Sequence, residues 1–339
     1  MKNFLVFVFF TAIMLISCNE PNPLKEVDVS EVKVPDISIK RLDQDIFSID
    51  VNNITASTKK LQDKYGPFYT IFVRGILNAG GIKDSSYAVQ IKKFISDRDM
   101  KKAYADCQQL YPTLETQEHA FTEAFQHFKY YFPTRKLPNV VAVMSGFNYA
   151  IYPVDSTLSI ALEMYLGEKS DFYLMLGYPR YRSMFMTSDN ILPDAVQGWM
   201  IKEFPYMMNK EDFLSQIIYM GKILYATDAL LPEVADTLKM RYTNAQLDYC
   251  IQNEFNVWSY FAAQKTLYTS NQAEIMKFTG EAPFTSALSK QSAPRIGYWI
   301  GWRIVKQYMH ANPKTTLEQL MNERDAQQFL AKSKYKPKK

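Results

Sequence analysis

Residues 4–16 are apolar at every position but Thr11, and no later stretch approaches 18 uninterrupted apolar residues. The run is too short to cross a ~30 Å hydrocarbon core, which takes about 20 helical residues, but it suits the apolar part of a signal peptide whose positive start is Lys2. Beyond residue 35 the pattern becomes that of a folded body. Apolar and polar positions alternate over 34–50 around Ile37, Ile39 and Leu42, which predicts a strand followed by a short helical turn. Over 57–77, Leu61, Tyr65, Phe68, Phe72, Val73 and Ile76 recur at helical spacing, and Asn78-Ala79-Gly80-Gly81 ends that helix. One or two helices are expected over 86–110. Another follows over 116–132, with Ala120, Phe121, Ala124, Phe125, Phe128 and Phe132 on one side. The period then changes. Short β-branched stretches at 139–145, 148–154 and 157–166, separated by Gly146, Asp155 and Ser156, predict three antiparallel strands, with the strand near Ile37 as a candidate fourth. Helical spacing returns at Pro193 and dominates to about residue 330. The expected class is mainly α with a small antiparallel β-sheet, an α+β fold.

The apolar run ends in Leu15-Ile16-Ser17-Cys18, which reads as a bacterial lipobox: leucine, a small residue, then cysteine at the cleavage point. Cleavage would remove 1–17 and leave Cys18 as the first residue, with a diacylated thiol and an amine free for a third chain. At about 0.8 kcal/mol per buried methylene, two or three chains fix a protein to a membrane. Residues 18–35, with Pro21, Pro23 and Pro35, are expected to be an extended, solvated tether. Hydrophobic residues at 47% and charged residues at 22% are ordinary for a globular protein, so 36–331 is expected to be a single domain. The formal charge of +4 comes from Lys332, Lys334, Lys336, Lys338 and Lys339; without those five it is −1. The basicity therefore belongs to a tail, 332–339, expected to be frayed, and gives no reason to expect nucleic acid as a partner. Cys107 and Cys250 are compatible with a disulfide in an exported protein or with two buried thiols.

Two stretches resemble the gliding-motility lipoprotein B (GldB) family of Bacteroidetes: GKILYATDALLP at 221–232 and PRIGYWIGWRIV at 294–305. The lipobox, RLDQDIF at 41–47 and LEMYLG at 162–167 fit the same family, and the resemblance extends over nearly all of the mature chain. It implies an envelope lipoprotein, periplasm-facing and held to a membrane through its lipid. Its expected partners are other proteins of the gliding and type IX secretion machinery. A more distant likeness is to predicted zinc peptidases, in which a small sheet and a leucine-glycine corner precede an HExxH helix. That likeness implies a zincin-like outline, with the helix beginning at Pro193 in the active-site position.

In HExxH, histidines at i and i+4 share a zinc and the glutamate takes a proton from zinc-bound water. The chain has three histidines, His119, His127 and His310; none is in the Pro193 helix and no two are four apart. Gln197 and Met200 or Ile201 stand where ligands would, and none is an ordinary zinc donor. No metal or other cofactor is therefore expected, and the site would be a degenerate, peptidase-like groove. Glu163, Gln197, Glu203, Arg295 and Tyr298 are the candidate groove or partner-binding residues; the alternative is a metallopeptidase-like hydrolase with a nonstandard site. The mixed aromatic, arginine and methionine segment 178–186 suits either an interface or a loop on the core. Gly297 and Gly301, four apart, predict close helix packing inside the domain, where Arg295 and Arg303 would pair with buried carboxylates.

Overall fold

The computed structural model describes residues 23–339. The expected lipidation site Cys18, the expected signal peptide and the start of the tether lie outside the described residues.

The first strand, β1 (Lys40–Arg41), leads directly into α1 (Leu42–Phe47). Next comes α2 (Ile54–Tyr65), capped by the Asn53 side chain, which accepts from Ala56 N. The single helix expected over 57–77 is broken. Gly66, at φ 59°, ends α2, and Pro67 opens α3 (Pro67–Ile71), which runs into a π-helical turn at Phe72–Ile76. Proline has no N–H to continue α2 and suits a first helical position, so the break follows from Gly-Pro. Two helices occupy 86–110, α4 (Tyr87–Ser96) and α5 (Arg98–Leu110); Asp97 separates them and accepts from Asp99 N and Met100 N as the α5 cap. They are followed by α6 (Glu115–Tyr131).

The sheet adds β2 (Asn139–Val143), β3 (Ile151–Val154) and β4 (Thr157–Ala161) in the order β1-β2-β4-β3. It is mixed rather than wholly antiparallel. β1 and β4 both run parallel to β2, and only β3–β4 is an antiparallel hairpin. Burial and proline explain the order. Every residue of β4 is buried, which suits a central strand, whereas β3 carries Pro153, which cannot donate to a ladder and belongs at an edge. The strand expected over 157–166 stops at Ala161 and becomes a 3-10 turn at Leu162–Tyr165.

The helical remainder comprises α7 (Asp171–Met175), α8 (Arg180–Ser183), α9 (Ile191–Glu203), α10 (Phe213–Leu230) and α11 (Asp236–Met240). Then follow α12 (Asn244–Gln252), α13 (Glu254–Ala263), α14 (Gln272–Thr279), α15 (Ile296–Ala311), α16 (Leu317–Asn322) and α17 (Ala326–Ser333). Fifteen of the 18 residues of α10 are buried, so this helix is enclosed on all sides and forms the centre of the bundle. It meets α15 through glycines. A Cβ on Gly301 would lie 1.8 Å from Ile217 O, and one on Gly221 would lie 2.4 Å from the Gly301 carbonyl. The close packing expected from Gly297 and Gly301 is thus present, with Gly221 as its counterpart. Among the described residues no helix is long and apolar enough to cross a membrane.

Both chain ends differ from expectation. From Pro23 onward the tether is a strap laid along α6: Leu24 and Val29 are buried, Gln126 Nε2 donates to Val32 O (3.3 Å), and Ile37 N donates to Thr122 Oγ1 (3.2 Å). Leu24 joins the hydrophobic core, which outweighs the solvation favoured by the strap's prolines and charges. At the other end Lys332 belongs to α17. Tyr335 donates to Glu254 (2.8 Å) and packs edge-on against Trp258, so the chain is docked at least that far.

Candidate functional site

At the exit of β2 the chain turns through Ser145, Gly146 (φ 71°) and Phe147 (φ 61°). Glu163, just past β4, closes this turn. Its Oε1 accepts from Ser145 N (2.6 Å), Ser145 Oγ (2.7 Å) and Phe147 N (3.1 Å). Glu163 is wholly buried, and Oε2 has no partner. Burial pushes its carboxyl up from the ordinary range, against the pull of those hydrogen bonds. Enclosed in this way, Glu163 ties the ends of two neighbouring strands together and cannot touch a partner, so it drops out of the groove set.

Gln197 and Arg295 are brought together, through backbone. The last turn of α11 offers two consecutive carbonyls: Gln197 Nε2 donates to Lys239 O (2.8 Å) and Arg295 donates to Met240 O (2.6 Å). The next residue, Arg241, donates to Asp194 Oδ2, which also accepts from Tyr165 OH (2.9 Å). Burial raises the Asp194 carboxyl, and Arg241, Tyr165 and Arg295 oppose that rise. Tyr165, pushed well above its ordinary value by burial first and Asp194 second, is a neutral donor. Arg241 (φ 51°) and Arg295 (φ 49°) both adopt the left-handed conformation, which costs a non-glycine residue about 1–2 kcal/mol. Their side chains hold the ends of α11 and α15 against α9. Arg295 therefore caps a carbonyl and does not pair with a carboxylate as expected. Arg303 does find one, Glu254, at 3.0 Å.

A small cleft opens beside this cluster, lined by Arg241, Arg295, Tyr181, Arg182, Phe185 and Glu281, with a volume of about 30 Å³. It admits one terminal group or a water molecule. Arg182 is paired with Glu281 across it (3.0 Å) and Arg180 with Glu168 (3.3 Å), so the 178–186 segment is partly fastened to the body.

Glu203 and Tyr298 do not join the cleft. Glu203, at the far end of α9, accepts from Arg135 (3.2 Å) and Lys202 (2.8 Å), and Arg135 goes on to Glu318 (2.9 Å). Tyr298 lies partly buried, packed against the core. On α9 the Gln197 amide is engaged by Lys239 O and Met200 is buried in the core. Among the described residues no three His, Cys, Asp or Glu side chains converge to hold a metal ion. Cys107 and Cys250 are both buried and free.

Sequence reasoning missed a buried carboxylate that ties three side chains together. Asp228 on α10 is 1% exposed. It accepts from Lys239 (2.8 Å) and Trp302 Nε1 (2.8 Å), and Lys306 stands at 3.3 Å. Nearby, Lys222 is equally buried, donates to Glu323 O at the end of α16, and is pushed down to about 8 chiefly by burial. The signal was present in the sequence: a lysine and an aspartate inside an otherwise apolar helix need partners.

The family model for gliding motility protein GldB matches residues 22–337. The chain belongs to this family. It is thereby a gliding-motility-related lipoprotein of the cell envelope. No curated protein and no solved structure matches the chain, and nothing supports the likeness to zinc peptidases. The two longest stretches that carry the GldB resemblance are α10 and α15 with their flanks. They are joined by the Gly221–Gly301 contact and by Asp228 with Trp302. A third stretch contributes Arg41, which clamps Asp43 (2.7 Å) and reaches Gln108 and Tyr111 O. The GldB-like text thus builds scaffold.

Proposed function

We propose that this GldB-family lipoprotein is a non-enzymatic binding or assembly component of the gliding and type IX secretion apparatus, held at the membrane through Cys18. The observation that supports this reading best is the employment of its buried carboxylates. Among the described residues Asp43, Glu163, Asp212 and Asp228 are buried, and each is engaged: by Arg41, by the Ser145 turn, by Ser215 N at the start of α10, and by Lys239. A general acid or base must reach the proton it moves, and these groups face inward. The cleft beside Arg241 is too small for a substrate. A surface that binds polypeptide needs no such chemistry.

Two measurements test the reading. Crosslinking in intact cells followed by capture of the mature lipoprotein should recover envelope proteins of the gliding or secretion machinery, and Cys18→Ala should abolish acyl labelling and that capture. Protein purified from zinc-supplemented medium should lack stoichiometric zinc. One zinc per chain, with peptide cleavage that a chelator abolishes, would establish the metallopeptidase-like alternative instead.

A further inference from the structure

Beyond Glu163 the chain carries three consecutive apolar side chains into solvent. Leu174, Met175 and Leu176, at the end of α7, are 82%, 66% and 52% exposed. Among the described residues the other exposed large apolar side chains stand singly along the chain, which is ordinary for a surface. Three in a row leave a contiguous apolar end in water, which is unfavourable unless something covers it.

The turn does not let them fold back. Gly177, at φ 72°, ends α7 in a Schellman pattern: Tyr178 N donates to Tyr173 O (2.8 Å) and Gly177 N to Leu174 O (3.0 Å). Both flanks are pinned to the body. Tyr173 is buried; its hydroxyl donates to Glu163 O (3.0 Å) and accepts from Leu166 N (2.8 Å). Tyr178 OH donates to Phe147 O (3.1 Å). Phe172 is buried beneath Lys102, whose ammonium stands 4.7 Å from the ring centroid. The protrusion is therefore a rigid tip with an apolar end.

Its collar narrows what covers it. Lys169 and Arg180 are exposed on either side, and Tyr178 and Tyr181 are partly buried. Glu168 and Asp171 balance the two cations, and Arg180 pairs with Glu168 at 3.3 Å. An apolar end above tyrosine, lysine and arginine, with no net charge, has the composition of a segment seated at a lipid–water interface.

The strap brings lipid within reach. A tether over 18–35 would extend to about 60 Å and hold the body clear of the headgroups. Leu24, however, is already buried in the core, and the six residues from Cys18 to Leu24 reach about 20 Å at most. A body of this length is about 50 Å across. Held on so short a lead, it meets the headgroups with some part of its own surface.

We propose that the tip at 174–176 seats in the headgroup boundary of the membrane that carries the protein, as a second, noncovalent attachment that fixes the orientation of the body. The proposal rests on the lipid attachment at Cys18 and is independent of the partners proposed for the body.

The test uses the mature lipoprotein with Leu174→Cys, labelled with an environment-sensitive fluorophore and reconstituted on phosphatidylcholine vesicles with or without nitroxide-bearing lipid. Cys107 and Cys250 are buried, so the label goes to one position. Flotation with the vesicles reads the anchor, and the label reads the tip. Emission should shift to the blue on reconstitution, and shallow nitroxide should quench it at least about twofold more than a label at Ile251→Cys on α12. Raising salt to about 1 M should leave the quenching unchanged, because the collar carries no net charge. With the label moved to Met175→Cys, the pair Leu174→Glu, Leu176→Glu should abolish the shift without moving the unfolding midpoint, since both side chains are more than half exposed. Protein that floats while its tip label is quenched no more than the one at Ile251 overturns the proposal, leaves the anchor standing and assigns the tip to a protein contact. Protein that does not float overturns anchor and tip together. A blue shift that follows protein concentration and needs no lipid overturns the bilayer in favour of a second copy of the chain.

Discussion

Gly301→Ala puts the central contact of the fold to a quantitative test. The new Cβ would stand 1.8 Å from Ile217 O and 2.5 Å from Ile217 C, both backbone atoms of α10. An ordinary carbon–oxygen contact is more than 3 Å, so α10 and α15 would have to separate by about 1.5 Å; a gap of 0.5–1 Å already forfeits a quarter to a half of each dispersion contact. No side-chain rotation relieves a clash between backbones. Overpacking that side chains can partly absorb costs about 1–3 kcal/mol, and alanine returns up to about 1 kcal/mol through helix propensity. A net loss of about 3–4 kcal/mol is expected, at the upper end of single substitutions. Gly297→Ala is the internal control. Its Cβ would lie 3.0 Å from the Phe213 ring and 3.1 Å from Ile217 Cγ2, both movable, so its loss should stay below about 1.5 kcal/mol. Denaturant titration of both variants reads the difference as a shifted midpoint at unchanged slope. If Gly301→Ala proves as stable as the parent, or as Gly297→Ala, the glycine contact does not hold these helices together and the account of the core is wrong.

Asp228→Asn should cost about 1.5–3 kcal/mol, because Lys239, 4% exposed, loses its charged hydrogen bond and keeps only Asp236 at 3.5 Å; a loss under about 0.5 kcal/mol in the same titration would contradict the pairing. Lys222 gives a pH signature. Its folded value of about 8 lies below the ordinary 10.5, so between these pH values the unfolded chain binds more protons and parental stability rises with pH, the penalty being fully present below about 8. Lys222→Met should therefore gain up to about 3 kcal/mol at pH 7, less about 1 kcal/mol for the lost bond to Glu323 O, and the gap should close towards pH 10; a pH-independent gap defeats the reasoning. Burial pushes the Cys107 and Cys250 thiols up, so iodoacetamide at pH 8 should label neither in the folded protein and both after denaturation. A thiol that stays unlabelled in denaturant would reveal a disulfide.

The class of the fold was readable because periodicity is local. Helix ends have local causes too, but periodicity does not use them: Asp97 divides α4 from α5 through its own side chain, and Asn53 starts α2 in the same way. Gly66-Pro67 was an equally local signal, and periodicity alone hid it. The strand order was harder. β2 and β4 pair in parallel across the hairpin that β3 makes with β4, and no neighbouring residues encode that choice; Pro153 came nearest, by marking an edge. The cleft was half legible. Gln197 and Arg295 were singled out, yet they meet by way of Lys239 O and Met240 O, and a carbonyl has no residue identity to read. The docking of the strap on α6 was not legible, because its prolines and charges favour solvent and it is held through its backbone N–H groups at Ile37 and Ile39.

The stretches that resemble GldB most closely are those where contact fixes residue type. Gly301 and Gly221 meet backbone at distances that admit no Cβ, and Asp228 serves two lysines and a tryptophan in a dry interior. Resemblance in such text transmits a fold, because changing these residues costs folding free energy wherever the fold is used. It says less about what the surface does. Exposed side chains have the opposite character: Asp36, Glu115 and Glu123 are engaged by no cation among the described residues. Substitutions there should leave the unfolding midpoint nearly unchanged. Substitutions along α10 and α15 should shift the midpoint, and alter binding only as far as the protein unfolds. That division puts the family likeness in the core, where packing fixes residue type.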